Sequence, residues 1–273
     1  MRMYNLYVLR NFRRAIAAGV YPGLHSAEMK KMIGIGTIVN TAAVLVGGVI
    51  GMIFKKGIGD SMQAALKKAV GIAVILVGLG GVFSEMLTLK DGRLTADGSV
   101  MMIISLVVGT VIGELLRIED RLSTLGDRLK KLVRAGGNDR FTEGFVTNTL
   151  VICVGAMAIV GSFSDGLHAD PSTLFVKAIL DGVIAVVFAS TMGVGVLFAA
   201  IPLFLYQGAL TLLAGALSGV MTDSMISSLS YVGSALIVSV GLNLTLDCRI
   251  KTGNMLPSLL VPVIWTVVKG LFE

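Results

Sequence analysis

Asp181 sits inside the run Leu174-Phe-Val-Lys177-Ala-Ile-Leu-Asp181-Gly-Val-Ile-Ala-Val-Val-Phe188, with no polar neighbour except Lys177 one helical turn earlier. An ionised carboxylate in so apolar a segment is costly unless it faces a polar cavity or a partner. Two uses stand side by side. Asp181 could bind a cation or carry a proton, or it could only pair with Lys177 at an i, i+4 spacing. A second signal is a polar pair written twice. Asn40-Thr41 lies in Gly36-Thr-Ile-Val-Asn40-Thr41-Ala-Ala-Val-Leu-Val-Gly47, and Asn148-Thr149 lies in Gly144-Phe-Val-Thr-Asn148-Thr149-Leu-Val-Ile-Cys-Val-Gly155. The offset is 108 residues for the first glycine, the asparagine and the last glycine alike. Gln207 and Asn243 complete the candidate set for binding a solute or an ion. The rival for all of these residues is plain hydrogen bonding between helices, worth about 0.6 kcal/mol each.

The elements that must position these side chains are membrane helices. Hydrophobic residues make up 55% of the 273 and charged residues 15%, against about 25% charged in a soluble domain. About 20 apolar residues in a helix cross the hydrocarbon, and seven runs qualify: 33–54, 62–84, 99–116, 144–163, 172–191, 196–219 and 228–247. An eighth, 256–271, contains Pro257 and Pro262 and either spans or lies at the interface. The predicted fold is therefore an all-α polytopic bundle of seven or eight spans. Residues 1–31 form a basic extension, and 32–273 a single membrane domain. Strict alternation is absent, which argues against a barrel.

Charge orients the spans. Lys55, Lys56, Lys67 and Lys68 flank one short loop, and Arg117, Arg121, Arg128, Lys130, Lys131, Arg134 and Arg140 fill another. The loops after the fourth and sixth runs carry Asp165, Asp170 and Asp223 and no Lys or Arg. By the positive-inside rule the basic loops, 55–68 and 117–140, are cytoplasmic. Arg2, Arg10, Arg13 and Arg14 at the start dissent. Either translation begins at Met29 or Met32, or the segment is an amphipathic arm on the membrane surface.

With that orientation the two Asn-Thr copies run antiparallel. Residues 33–116 and 144–219 then form a 3+3 inverted repeat joined by the basic loop 117–143, and tail spans at 228–271 follow. Inverted repeats are a mark of secondary transporters, whose sites lie near the midplane. Gly193, Gly195 and Pro202 at the head of the sixth span could break or merely kink it.

Several function classes lose ground. There is no Walker lysine, no HExxH, and no Ser–His or paired-Asp constellation, so an enzyme is not expected. The two cysteines, Cys153 and Cys248, and the two histidines have no metal-ligand spacing. No cofactor, metal or nucleic-acid partner is expected. The partners are the bilayer and a small solute or cation, with a homo-oligomer compatible with the sequence.

Several motifs agree in order with one family. Glu143-Gly-Phe-Val, Val154-Gly-Ala-Met-Ala-Ile-Val-Gly161-Ser, Asp165-Gly-Leu, Leu180-Asp181-Gly182, Gly193-Val-Gly195 and Tyr206-Gln207-Gly208 resemble the YqgA/YdfK-like proteins. The opening Gly34-Ile-Gly-Thr-Ile-Val-Asn40 and Gly241-Leu-Asn243 fit as well. The resemblance covers about 32–262 and implies a bacterial inner-membrane protein of unknown function. It implies serine-like residues at 178 and 185, where this chain has Ala178 and Ala185. The expectation is a secondary transporter or ion-conducting protein. The alternative is a membrane scaffold or signalling protein whose basic loop binds a partner or anionic lipid.

Overall fold

The structure, a computed structural model, describes residues 32–55, 57, 59–90, 93–135, 140–217 and 222–265. The 1–31 segment, with its two alternatives, lies outside the described residues, as does the end of the eighth run. Helices dominate: α1 (Ile35–Lys55), α2 (Asp60–Met86), α3 (Ser99–Leu116), α4 (Ile118–Leu132), α5 (Phe141–Cys153), α6 (Ala156–His168), α7 (Ser172–Met192), the short α8 (Gly195–Phe198), α9 (Ala200–Leu217) and α10 (Asp223–Leu246). Among the described residues six helical stretches are long and apolar enough to cross a membrane, or seven if α5 and α6 count as one span bent by 60°. The molecule is an all-α polytopic bundle.

Large apolar side chains cover the outer faces and also fill the core, with Phe141, Phe145 and Phe188 buried, whereas α1 turns small and polar residues inward. On α1 the buried residues are Gly36, Thr37, Asn40, Val44, Gly47, Gly48 and Gly51, a stripe at three- and four-residue spacing. Ile38, Val46 and Ile53 stay exposed on the other faces. This suits a bundle whose solvent is lipid, where close backbone approach and interhelical hydrogen bonds do the packing.

The close contacts fix directions. Gly36 abuts Leu174, Gly47 abuts the Gly182 carbonyl and Gly51 abuts the Val186 carbonyl, so α1 and α7 run parallel. Gly144 meets Met192, whereas Gly161 meets Leu174 and Thr173, so the α5–α6 pair runs antiparallel to α7. The two Asn-Thr copies therefore point in opposite directions. Gly71 meets Leu244 and Gly78 meets Val238, which makes α2 and α10 an antiparallel pair.

Two features were not anticipated. A hairpin, β1 (Leu87–Lys90) with β2 (Arg93–Ala96), follows α2 in the register Leu87↔Ala96 and Lys90↔Arg93. The eighth run begins as a 3-10 segment, Thr252–Leu259, laid along α3 so that Gly109 touches Ser258 and Gly113 touches Asn254. Pro257 removes a backbone donor there.

The amphipathic α4 carries Glu119 and Asp120 in its first turn and Lys130 and Lys131 in its last, in the sense its dipole favours. Its start is tied to the 3-10 segment twice. Glu119 N donates to Asn254 Oδ1 at 2.7 Å and Gly253 N donates to Glu119 Oε2 at 2.8 Å. Burial pushes the Glu119 carboxyl up, against the downward pull of the Gly253 N–H and Lys251. A carboxyl raised on folding contributes stability below its unfolded pKa and loses it as pH rises through the folded one. Glu119→Gln keeps an acceptor without the charge. It should melt slightly higher than wild type at pH 7.5, and the gap should close in mildly acidic buffer. A lower melting temperature at pH 7.5 would contradict this.

Candidate functional site

Three of the predicted residues meet. Asn40 from α1 donates through Nδ2 to Asp181 Oδ2 at 2.9 Å and to Gln207 Oε1 at 3.2 Å. Lys177 Nζ donates to the same Asp181 Oδ2 at 2.5 Å. Asn40 and Gln207 are fully buried, and Asp181 and Lys177 nearly so. Sequence distances of 141 and 167 residues separate Asn40 from its two partners. The parallel packing of α1 on α7 brings Asn40 to Asp181, and α9 supplies Gln207.

The bent span supplies the fourth wall. α5 ends at Cys153 and α6 begins at Ala156, so carbonyls in the last turn of α5 lose their helical donors. Ile152 O is taken by Lys177 Nζ at 2.8 Å. The lysine is therefore held by one carboxylate and one freed carbonyl, and Asp181 receives an ammonium and an amide on one oxygen. A proton taken up on Asp181 would neutralise the carboxylate and leave the Lys177 ammonium with the Ile152 carbonyl.

The other predicted residues go elsewhere. Asn148 Nδ2 donates to Val196 O at 3.1 Å, an α8 carbonyl that also accepts from Ala199 N at 3.2 Å. Thr41 and Thr149 each bond back to a carbonyl four residues earlier, Thr37 O and Phe145 O. Asn243 holds the chain after α10, accepting from Ile250 N and donating to Ile250 O. It borders a cavity of about 670 Å³ at the basic end of the bundle, lined also by Lys67, Glu143, Leu150 and Asp247. Lys67 bridges Glu143 at 2.7 Å and Asp247 at 3.3 Å across that cavity. Its lining includes Leu150 of α5 but not Ile152, Lys177 or Asp181.

One residue of the polar interior was not foreseen as such. Asp165, placed by the sequence in a loop, is fully buried in α6 and accepts from Gly36 N at 3.1 Å. It caps the first turn of α1. A signal was available: Ser162 and Asp165 stand one turn apart, and Ser162 is buried too.

Pro202 does not break the sixth span. α8 and α9 together make one apolar stretch, Gly195–Ala216, with a one-residue interruption at Ala199, three residues before Pro202. The break falls instead in the fourth.

The family described as protein of unknown function DUF554 matches residues 35–267. The chain belongs to this family. It is similar to the uncharacterized membrane protein YdfK of Bacillus subtilis (strain 168), with 35% identity over 227 residues, 83% of this chain and 93% of the relative. It is also similar to the uncharacterized protein YqgA of Escherichia coli (strain K12), with 29% identity over 234 residues, 83% of this chain and 94% of the relative. No solved structure matches it. The resemblance read from the motifs thus holds, and the matched region contains Asn40, Asp181, Gln207 and Asp165 alike. The chain is a membrane protein.

Proposed function

We propose that this DUF554 protein is a secondary transporter or ion-conducting protein of the bacterial inner membrane, acting on a small solute or cation, with Asp181 as its charged centre. The observation that carries this reading is the convergence of Asp181, Asn40, Gln207 and Lys177 in mid-span beside a broken helix. Ionisable groups kept at such depth mark ion or substrate pathways, and discontinuous helices build transporter sites. The antiparallel Asn-Thr copies support the inverted-repeat part of the reading. No catalytic role belongs to it. The test is a melting screen of the purified protein against monovalent and divalent cations, amino acids and small carboxylates. A ligand that raises the melting temperature of wild type but not of Asn40→Ala supports the reading. A screen in which no ligand distinguishes the two proteins argues for a scaffold.

The orientation belongs to the same proposal. Lys55, Lys67, Arg140 and Lys251 gather at the end of the bundle with α4, while the hairpin, with Lys90 and Arg93, lies at the other. The first group is the larger, so α4 is assigned to the cytoplasm. Thr124 is exposed on α4. In a background without Cys153 and Cys248, Thr124→Cys should resist an impermeant maleimide in intact spheroplasts and react after lysis. Labelling before lysis would reverse the topology.

A further inference from the structure

Ten buried side-chain polar atoms have no hydrogen-bond partner among the described residues: Asn148 Oδ1, Tyr231 Oη, Asn254 Nδ2 and Ser258 Oγ lie in other parts of the bundle, and the other six are Thr37 Oγ1, Asn40 Oδ1, Ser162 Oγ, Asp165 Oδ1, Gln207 Nε2 and Thr211 Oγ1. All six residues are at most 3% exposed. The six share one region. Gly36 N reaches Asp165, and a side chain at Gly166 would meet the Thr211 carbonyl and the Ala214 methyl. So Gly36, Asp165 and Thr211 share one level of the bundle. Asn40 and Gln207 touch at the next. Between these levels α1 runs from 36 to 40 while α9 runs from 211 to 207, so the two helices are antiparallel there. Thr37 and Asn40 are three residues apart, Gln207 and Thr211 four, and Ser162 and Asp165 three. Each pair falls on one face of its helix. The unsatisfied atoms thus run along the junction of α1, α6 and α9, from Asp165 to the Asp181 cluster.

The kinds of atom say what fits between them. Asp181 fixes the Asn40 amide with Nδ2 towards the carboxylate, and Asn40 in turn fixes Gln207 with Oε1 inward. That leaves Gln207 Nε2 as a free N–H donor, Asn40 Oδ1 and Asp165 Oδ1 as free acceptors, and three hydroxyls able to do either. A metal cation takes oxygen atoms and cannot accept from Nε2. Water donates and accepts, and satisfies buried polar groups at two to four partners each.

We infer that α1, α6 and α9 enclose a chain of ordered water joining Asp165 to Asp181, and that it conducts protons between the two carboxylates. The inference rests on the transport reading and names its coupling ion. In the step, an Asp165 carboxylic acid gives its proton to the first water. Each water accepts one proton and passes one on, and the Asp181 carboxylate receives the last. Asp165 ends as the carboxylate and Asp181 as the acid, with no other bond changed. The neutral Asp181 no longer balances Lys177, which keeps its bond to Ile152 O. Proton arrival is thereby tied to the ammonium beside the broken span.

The test uses the full chain in pyranine-loaded vesicles, with an inside-negative potassium diffusion potential set by valinomycin. Wild type should take up protons faster than protein-free vesicles. The double variant Thr37→Val with Thr211→Val keeps the side-chain shapes and removes two hydroxyls from the chain. Its flux should fall about a hundredfold, the scale of losing a proton-transfer step, and Asp165→Asn should fall likewise. The double variant should melt at or below the wild-type temperature. Three results overturn the inference: wild-type flux no greater than that of empty vesicles, unchanged flux in both variants, or a double variant that melts higher, as expected if those hydroxyls are buried dry. Should the inference fail while a ligand still stabilises wild type and not Asn40→Ala, the transport reading survives without a proton. Should that stabilisation be absent too, both fall.

Discussion

Asp181→Asn is expected to lower stability by about 3 kcal/mol, the lower end of what an unpaired buried charge costs when its partner is removed. The lower end applies because Lys177 Nζ keeps the Ile152 carbonyl at 2.8 Å. Asn keeps the shape and can still bond Asn40, so what is lost is the negative charge beside a buried ammonium. Removing that ammonium as well should restore the balance. The double variant Asp181→Asn with Lys177→Gln should melt near wild type, since neither side chain is then charged and the hydrogen bonds to Asn40 and Ile152 O can still form. The ligand response should not return, because Asp181 is the anionic group of the cluster. Chemical or thermal unfolding of the two singles and the double, with and without the stabilising ligand, separates the two roles. A double variant that recovers both stability and ligand response would reduce Asp181 to half of a structural ion pair. Lys177→Gln alone should be milder than Asp181→Asn, since Asp181 keeps the Asn40 amide at 2.9 Å.

The polar residues that were legible in the sequence stood out against apolar runs. Asp181 and Gln207 could be singled out that way, Asn40 by its repeated Asn-Thr pair, and Lys177 as the helical neighbour of Asp181. Asp165 was hidden because a straight fourth span ends near residue 163. A span bent at residues 154–155 takes more chain to cross the same thickness, and it carries Ser162 and Asp165 into the interior. Asn148 shows the opposite failure. Its repeat position suggested the role of Asn40, yet its amide goes to Val196 O in α8, which also accepts from Ala199 N. A repeat in sequence preserves residue types and direction. It does not preserve neighbours, and here α1 lies along α7 while α2 lies along α10. The helical class and the limits of most spans followed from hydropathy, which depends on the lipid. The hairpin and the 3-10 segment depend on turn chemistry and on contacts with α3 and α4, which hydropathy does not register.

The same divergence predicts opposite outcomes for two glycines in one register. Gly47 of the first copy lies mid-helix in α1, where an added methyl would run into the Gly182 carbonyl one residue after Asp181. Gly155 of the second copy, 108 residues on, sits at the break between α5 and α6, and a methyl there would meet nothing within 4 Å. Gly155 has φ −72 and ψ 144, an extended backbone open to any residue. Gly155→Ala should therefore be nearly neutral in stability. Gly47→Ala must push α1 away from α7, at an overpacking cost of about 1–3 kcal/mol, since backbone cannot swing aside as a flexible side chain does. The displacement also acts on the site. Asn40 is two turns along α1 from Gly47 and reaches Asp181 and Gln207 at 2.9 and 3.2 Å, so a shift of the helix by a fraction of an ångström weakens both bonds. Gly47→Ala should thus lose stability and ligand response together, whereas Gly155→Ala keeps both. Melting curves with and without ligand measure the contrast. Equal behaviour of the two variants would mean that the α1–α7 contact does not set the geometry of the Asp181 cluster.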